Sequence, residues 1–307
     1  MDQFSSHPLN RKHNLDSAMS SLFGFYKDHF LALFLTSFIA SLAMQFLSST
    51  FDYQKLLGTT DPYEMLKAMK SMIMPMGVSM LINFLLMVIL QYYIIYKPVD
   101  TSVNIFNALY KSLKYILPLI VISILFAVFS VAAMVIGILA IFIGVFFALL
   151  YVCMIALFIT PVLMTEGTNI GKAIGRTFAL SHKRFWPNMG WTAVILLIVI
   201  VASLILSSII LIPFSGSFFK ILTHPEEAAE AMSFMSNPIY IILAALAGSI
   251  FTPLMPILGA ILYFNAKSRE IEASLPVEGN NEPDRVRVED LYAKPYSDDH
   301  PDNPDNK

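Results

Sequence analysis

Between residues 115 and 165 the chain carries no Asp, Glu, Lys, Arg or His. A run this apolar cannot stay in water, because burying its hydrocarbon is the largest free-energy gain open to it. A helix rising about 1.5 Å per residue crosses a bilayer core of about 30 Å in roughly 20 residues, so this run suffices for two crossings and is too long for one. It has to fold back on itself. Gly137, in Ile136-Gly137-Ile138, stands near its middle, and glycine tolerates turn dihedrals that β-branched residues resist. The expectation is a membrane hairpin of residues 115–136 and 138–160.

The rest of the chain repeats this device more loosely. With 56% hydrophobic and 14% charged residues, the composition belongs to the membrane class, and counting soluble domains by length does not apply. The first long apolar run starts near Phe30, after a polar lead holding Arg11, Lys12, Lys27 and Asp28. It lies too deep and runs too long for a cleaved signal peptide. Further spans are expected at 30–49, 76–96, 190–212 and 238–264. The lone Cys153 falls inside an apolar span, which leaves no intramolecular disulfide and no CxxC site.

Before each hairpin stands an amphipathic segment. Leu15, Met19, Leu22, Phe23, Tyr26 and Phe30 share one helical face, and Ile105, Phe106, Leu109, Leu113 and Ile116 share another. Ile170, Ile174, Phe178 and Phe185 do the same before the third hairpin, while Lys172, Arg176 and Lys183 fall within about 40° of one another on its polar side. The fold expected is an all-α integral membrane protein of about six transmembrane helices, arranged as three hairpins, each led by an interfacial helix. Residues 1–14 read as a disordered N-terminus, 15–270 as the membrane domain, and 271–307 as a disordered, acidic, proline-dotted tail.

Charge sets the orientation. An even number of spans puts both termini on one side, and that side gathers Arg11, Lys12, Lys27, Lys97, Lys111, Lys114, Lys172, Arg176, Lys183, Arg184, Lys267 and Arg269. The other side keeps Lys55, Lys67, Lys70 and Lys220. The positive-inside rule places both termini in the cytoplasm.

Functional signals are sparse. An ionisable group at bilayer depth marks many transporters and membrane enzymes, and the spans hold none. Their polar candidates are Gln45, Asn83 and Gln91, the last two about 80° apart round one helix. They read as interhelical hydrogen-bond glue or, alternatively, as the wall of a polar substrate path. Met65, Met69, Met72, Met76 and Met80 recur at helical spacing, which suits either a lipid-resting face or soft sulfur ligands for Cu(I). Thr223-His224-Pro225-Glu226 reads as the start of a short acidic helix. Lys111, Lys114, Lys172, Arg176, Lys183 and Arg184 stand at span ends, where anionic headgroups attract each cation by about 1 kcal/mol. No hydrolase, kinase, nucleotide or metalloprotease motif is present, so neither catalysis nor a metal nor a cofactor is expected. The partners expected are membrane lipids and not nucleic acid, with a membrane-protein partner or a second copy left open.

The segment Pro161-Val-Leu-Met-Thr-Glu166-Gly167, followed by Ala173-Ile-Gly-Arg176-Thr177, Leu180 and Phe185-Trp186, resembles the multi-pass bacterial family described by the membrane domain of glycerophosphoryl diester phosphodiesterase. Tyr263-Phe264-Asn265-Ala266-Lys267-Ser268-Arg269-Glu270 is similar to that family's exit from its last span, and Thr177 stands where the family usually has Ser. The resemblance covers residues 100–272. It implies the membrane part alone, because the catalytic barrel of fused members would require some 250 further residues. Glu166 and Arg176 match the family's most recognisable positions, and across a turn they are expected to pair and anchor helix to span. Three functions follow as expectations: a non-enzymatic membrane protein engaging anionic phospholipid through its basic helices, a transport component passing substrate near Asn83 and Gln91, or a membrane enzyme with an unrecognised site.

Overall fold

A computed structural model describes residues 3–51, 61–139, 141–223 and 232–274. Every regular element among them is helical. Six stretches are long and apolar enough to cross a bilayer: Phe30–Ser49, Pro62–Tyr96, Ile105–Leu139, Ile143–Glu166, Phe185–Ser217 and Pro238–Ala273. The chain is an all-α, multi-pass membrane protein.

Three short helices lead the hairpins: α1 (Leu15–Asp28), α4 (Ile105–Ser112) and α7 (Ile170–Lys183). Each opens in the same way. Asn14, Asn104 and Asn169 sit at the N-caps in extended backbone, and each side chain accepts from the amide three residues on, at Ser17, Asn107 and Lys172. An Asn cap satisfies an amide that the helix itself leaves without a partner. The architectural repeat is thus also a repeat of one residue in one role.

The first hairpin is α2 (Phe30–Ser49) and α3 (Pro62–Tyr96), the second α5 (Ile116–Leu139) and α6 (Ile141–Glu166). The third runs through α8 (Phe185–Leu211) and a short α9 (Ser215–Thr223), then returns as α10 (Pro238–Phe251) and α11 (Leu254–Ser274). Helix α2 packs between α3 and α10, while α6 touches α5, α7, α8 and α3. Small residues allow the closest crossings. Ser41 on α2 lies 3.7 Å from where a Cβ on Gly248 of α10 would stand. On α11, a Cβ at Gly259 would come within 2.6 Å of the Leu157 carbonyl oxygen of α6. Positions 256–266 of α11 are buried on every side, the pattern of a helix at the centre of a bundle.

Several expectations are corrected. The helix that carries the second span begins well before Met76: α3 starts at Pro62 and carries Pro75 within it, so the methionine stripe lies on one long helix. Gly137 is no hinge. It lies inside α5, two residues before that helix ends, where an added Cβ would meet the Gly144 carbonyl oxygen and Ala148 of α6 at 2.8 Å. The glycine is there for close approach, not for a turn. The sixth span is broken, because α10 stops at Phe251 and α11 restarts at Leu254 around Thr252-Pro253, where proline supplies no amide to the ladder. The helix α11 also runs past residue 270, to Ser274. The segments around His224 and beyond residue 274, including the expected tail, lie outside the described residues. Residues from Glu270 onward belong to a second compact unit.

A last correction concerns residues 3–14, expected to be frayed. Phe4, His7, Leu9 and His13 are all buried. His7 stacks on Phe264 at 4.3 Å, and Phe4 meets Tyr96 edge-on. The His7 Nδ1 accepts from the Leu9 amide, so its Nε2–H donates to the Ile94 carbonyl at 3.1 Å. The His13 amide donates to the Asn265 side chain, and Arg269 donates to the His13 carbonyl at 2.9 Å. This strap closes over the ends of α3 and α11. No periodicity announces it, since its anchors are irregularly spaced and two of them are histidines.

Burial pushes the His7 imidazole down to about 4 and lowers that of His13 too. Above pH 6.5 both are neutral whether docked or released. Below that, the released strap takes up protons that the docked strap refuses, so docking weakens as pH falls towards 4. Amide exchange over residues 3–14, corrected for intrinsic rates, is expected to lose roughly 30-fold in protection between pH 7.5 and 5. His7→Asn should flatten that dependence; pH-independent protection in the native chain would contradict the account.

Candidate functional site

A dense knot of charge lies where α6 ends. Gly167, the next residue, takes φ +110°, a conformation closed to side-chain-bearing residues, and so reverses the chain. Asn169 then starts α7, and two turns later Arg176 reaches back: its Nε donates to Glu166 Oε2 at 2.6 Å. The other carboxylate oxygen accepts from the Tyr263 hydroxyl at 3.2 Å and from Lys267 Nζ at 3.4 Å, both on α11. One carboxylate therefore ties α6, α7 and α11 together. These charge-assisted bonds are only partly screened, because the side chains are about a quarter exposed. Just below, the Met164 carbonyl accepts from Tyr96 at 2.7 Å and Tyr115 at 3.3 Å.

The other cations spread along the same face. Lys172 is exposed and shares with Glu166, Gly167, Gly175 and Arg176 an open cavity of about 370 Å³. Lys183 is exposed, and Arg184 forms the joint between α7 and α8. Beside them, His182 Nδ1 donates to the Phe178 carbonyl, which leaves Nε2 to accept from Tyr151 at 2.9 Å. His182, Phe185 and Trp186 border an apolar groove of about 580 Å³ whose lining also includes the small residues Ala132, Gly137, Gly144 and Ala148. Lys114 covers the Tyr115 ring at 4.9 Å. Lys111 is exposed and lies near Asp100, whose carboxyl is held below its ordinary range chiefly by bonds from Ser102 and also by Lys111 and Lys97.

The intramembrane amides separate. Asn83 is exposed on the outside of α3, whereas Gln91 is buried beside Gly259 with its Nε2 unpartnered among the described residues. Gln45 instead borders a different cavity, together with Ser203, Ser207, Tyr240 and Thr252. That cavity was not foreseen. Its legible signals were Ser203 and Ser207, four apart in a largely hydrocarbon span, and the Thr252-Pro253 pair inside another. Among the described residues no group of three or more His, Cys, Asp and Glu could hold a metal ion.

No family model, no curated protein and no solved structure matches this chain.

Replacing Glu166 by Gln should leave Arg176, Lys267 and Tyr263 with a weaker acceptor, and thermal unfolding in detergent is expected to show a loss of about 1.5–3 kcal/mol. Glu64→Gln removes only the exposed Lys67–Glu64 pair, 3.7 Å apart, and should change stability by less than about 0.5 kcal/mol. Equal effects of the two substitutions would contradict the tie.

Proposed function

We propose that this chain is a non-enzymatic multi-pass protein of a bacterial cytoplasmic membrane that holds anionic phospholipid on its basic face. One observation carries the reading: the cationic side of α7 runs from the Lys172–Arg176 cavity to the mouth of the apolar groove at His182 and Trp186. A phospholipid presents that pairing of chemistries, a phosphate for the cations and an acyl chain for the groove. Counting formal charges, Lys172, Arg176 and Lys267 against Glu166 leave the cavity and its surround at about +2, and the start of α7 adds its dipole to the attraction. Trp186, 70% exposed, suits the headgroup level, where tryptophan is enriched. With the basic face taken as cytoplasmic, it meets the leaflet where anionic lipid attracts cations. The resemblance of residues 161–186 to a family's membrane domain agrees with a role outside catalysis.

Protein purified into nanodiscs of mixed phosphatidylglycerol and phosphatidylcholine is expected to retain phosphatidylglycerol in native mass spectrometry. Lys172→Glu should lower that retention about tenfold while leaving the unfolding temperature unchanged, since Lys172 is exposed and bridges no helices. Equal retention of the two lipids, or retention indifferent to Lys172→Glu, would refute the proposal.

A further inference from the structure

The break in the sixth span has a cavity beside it. A space of about 460 Å³ lies among α2, α8 and α10, and Thr252 and Met255 from either side of the break border it. It belongs to the half of the bundle away from the basic face, where Ser236 of the third hairpin donates to the Ser49 carbonyl at the end of α2. Helical irregularity at bilayer depth is tolerated where protein buries it or where it lines a cavity, and a proline-interrupted span is a recurring place for a ligand.

The hydroxyls around this cavity are of two kinds. Serine and threonine inside a helix ordinarily return their proton to the carbonyl four residues back. Thr36, Ser130, Thr192, Ser208 and Ser268 all do so here, at 2.7 to 2.8 Å. Thr252 at the cavity does so too, at 2.8 Å to the Gly248 carbonyl, whereas Ser203 and Ser207, like Ser37 and Ser79 elsewhere, do not. Among the described residues neither hydroxyl has a partner, nor does the Gln45 amide or the Tyr240 hydroxyl, and all four border the cavity. The remaining lining is apolar or small, with Val199, Leu211, Ala244 and Ala247, and it includes no Asp, Glu, Lys, Arg or His. A drug-sized space with apolar walls and a few convergent polar groups is the usual make-up of a small-molecule site. An ion would find no counter-charge in it, and burying one uncompensated at this depth is costly.

We infer that this cavity binds an uncharged amphiphile, its hydroxyl or amide head held by Ser203, Ser207 and Gln45 and its hydrocarbon body lying against Val199, Leu211 and Met255. The site is independent of the phospholipid proposal, since no basic-face residue borders it.

The test uses the full chain in nanodiscs with a monoacylglycerol whose acyl chain carries a diazirine, and a second probe with the same chain ending in phosphate. After irradiation, peptide mapping is expected to show saturable labelling of α8 and α10 by the neutral probe, competed by plain monoacylglycerol. Labelling should fall about tenfold in the Ser203→Ala, Ser207→Ala double variant, which loses two hydrogen bonds. Ala247→Trp should fill the space and abolish labelling; if that variant fails size exclusion as a single species, the serine pair alone decides. Lys172→Glu should leave labelling unchanged, which separates this site from the basic face. Non-saturable labelling, indifference to the serine substitutions, or equal labelling by the phosphate probe would overturn the inference.

Discussion

A helix that stops inside protein or lipid leaves its last carbonyls without amides to accept from, and at bilayer depth there is no water to replace them. This chain answers with side chains borrowed from other elements. The Ile94 carbonyl near the end of α3 takes the His7 Nε2–H of the N-terminal strap, and the Met164 carbonyl near the end of α6 takes the Tyr96 and Tyr115 hydroxyls. The Ile250 carbonyl, at the break of the sixth span, takes the Tyr26 hydroxyl at 2.8 Å. Each cap reaches across between elements, so satisfying a backbone group also fixes how two parts of the bundle sit. The Glu166 tie and the contact of Gly259 with Leu157 act on the same cluster of helix ends.

This arrangement explains where the protein is dense and where it is open. The ends of α3, α6 and α11 on the basic face, with the strap over them, hold the fully buried Ile94, Ile95, Phe158, Leu163 and Phe264. Among the described residues the opposite half has fewer such ties, and there the cavity beside Thr252-Pro253 persists. A dense basic end and a looser far half give the molecule two chemically distinct places, a cationic face and an uncharged cavity, and the two proposed ligands follow that division.

Much of the fold was legible because hydropathy and helical period act locally. The hairpins, the three lead-in helices and the Glu166–Arg176 proximity could each be read from short stretches of sequence. What escaped depended on distant partners. His7 and Phe4 look like any polar-flanked lead until Phe264 and Tyr96 are beside them, and Gly137 looks like a turn until Ala148 faces it. Asn83 and Gln91 share a helix yet differ in burial, because helical angle says nothing about which neighbours will arrive. Pro253 is plain in the sequence, but a single proline within an apolar run does not say whether the helix kinks or stops.

The most direct test of the capping account removes single hydroxyl groups and nothing else. Tyr26→Phe and Tyr96→Phe keep the ring and its packing but uncap the Ile250 and Met164 carbonyls, whereas Tyr63→Phe alters a residue that is 72% exposed. Equilibrium unfolding in detergent should show a loss of about 1–3 kcal/mol for each of the first two and no measurable change for the third. If all three variants unfold together with the native protein, the borrowed caps do not hold the bundle.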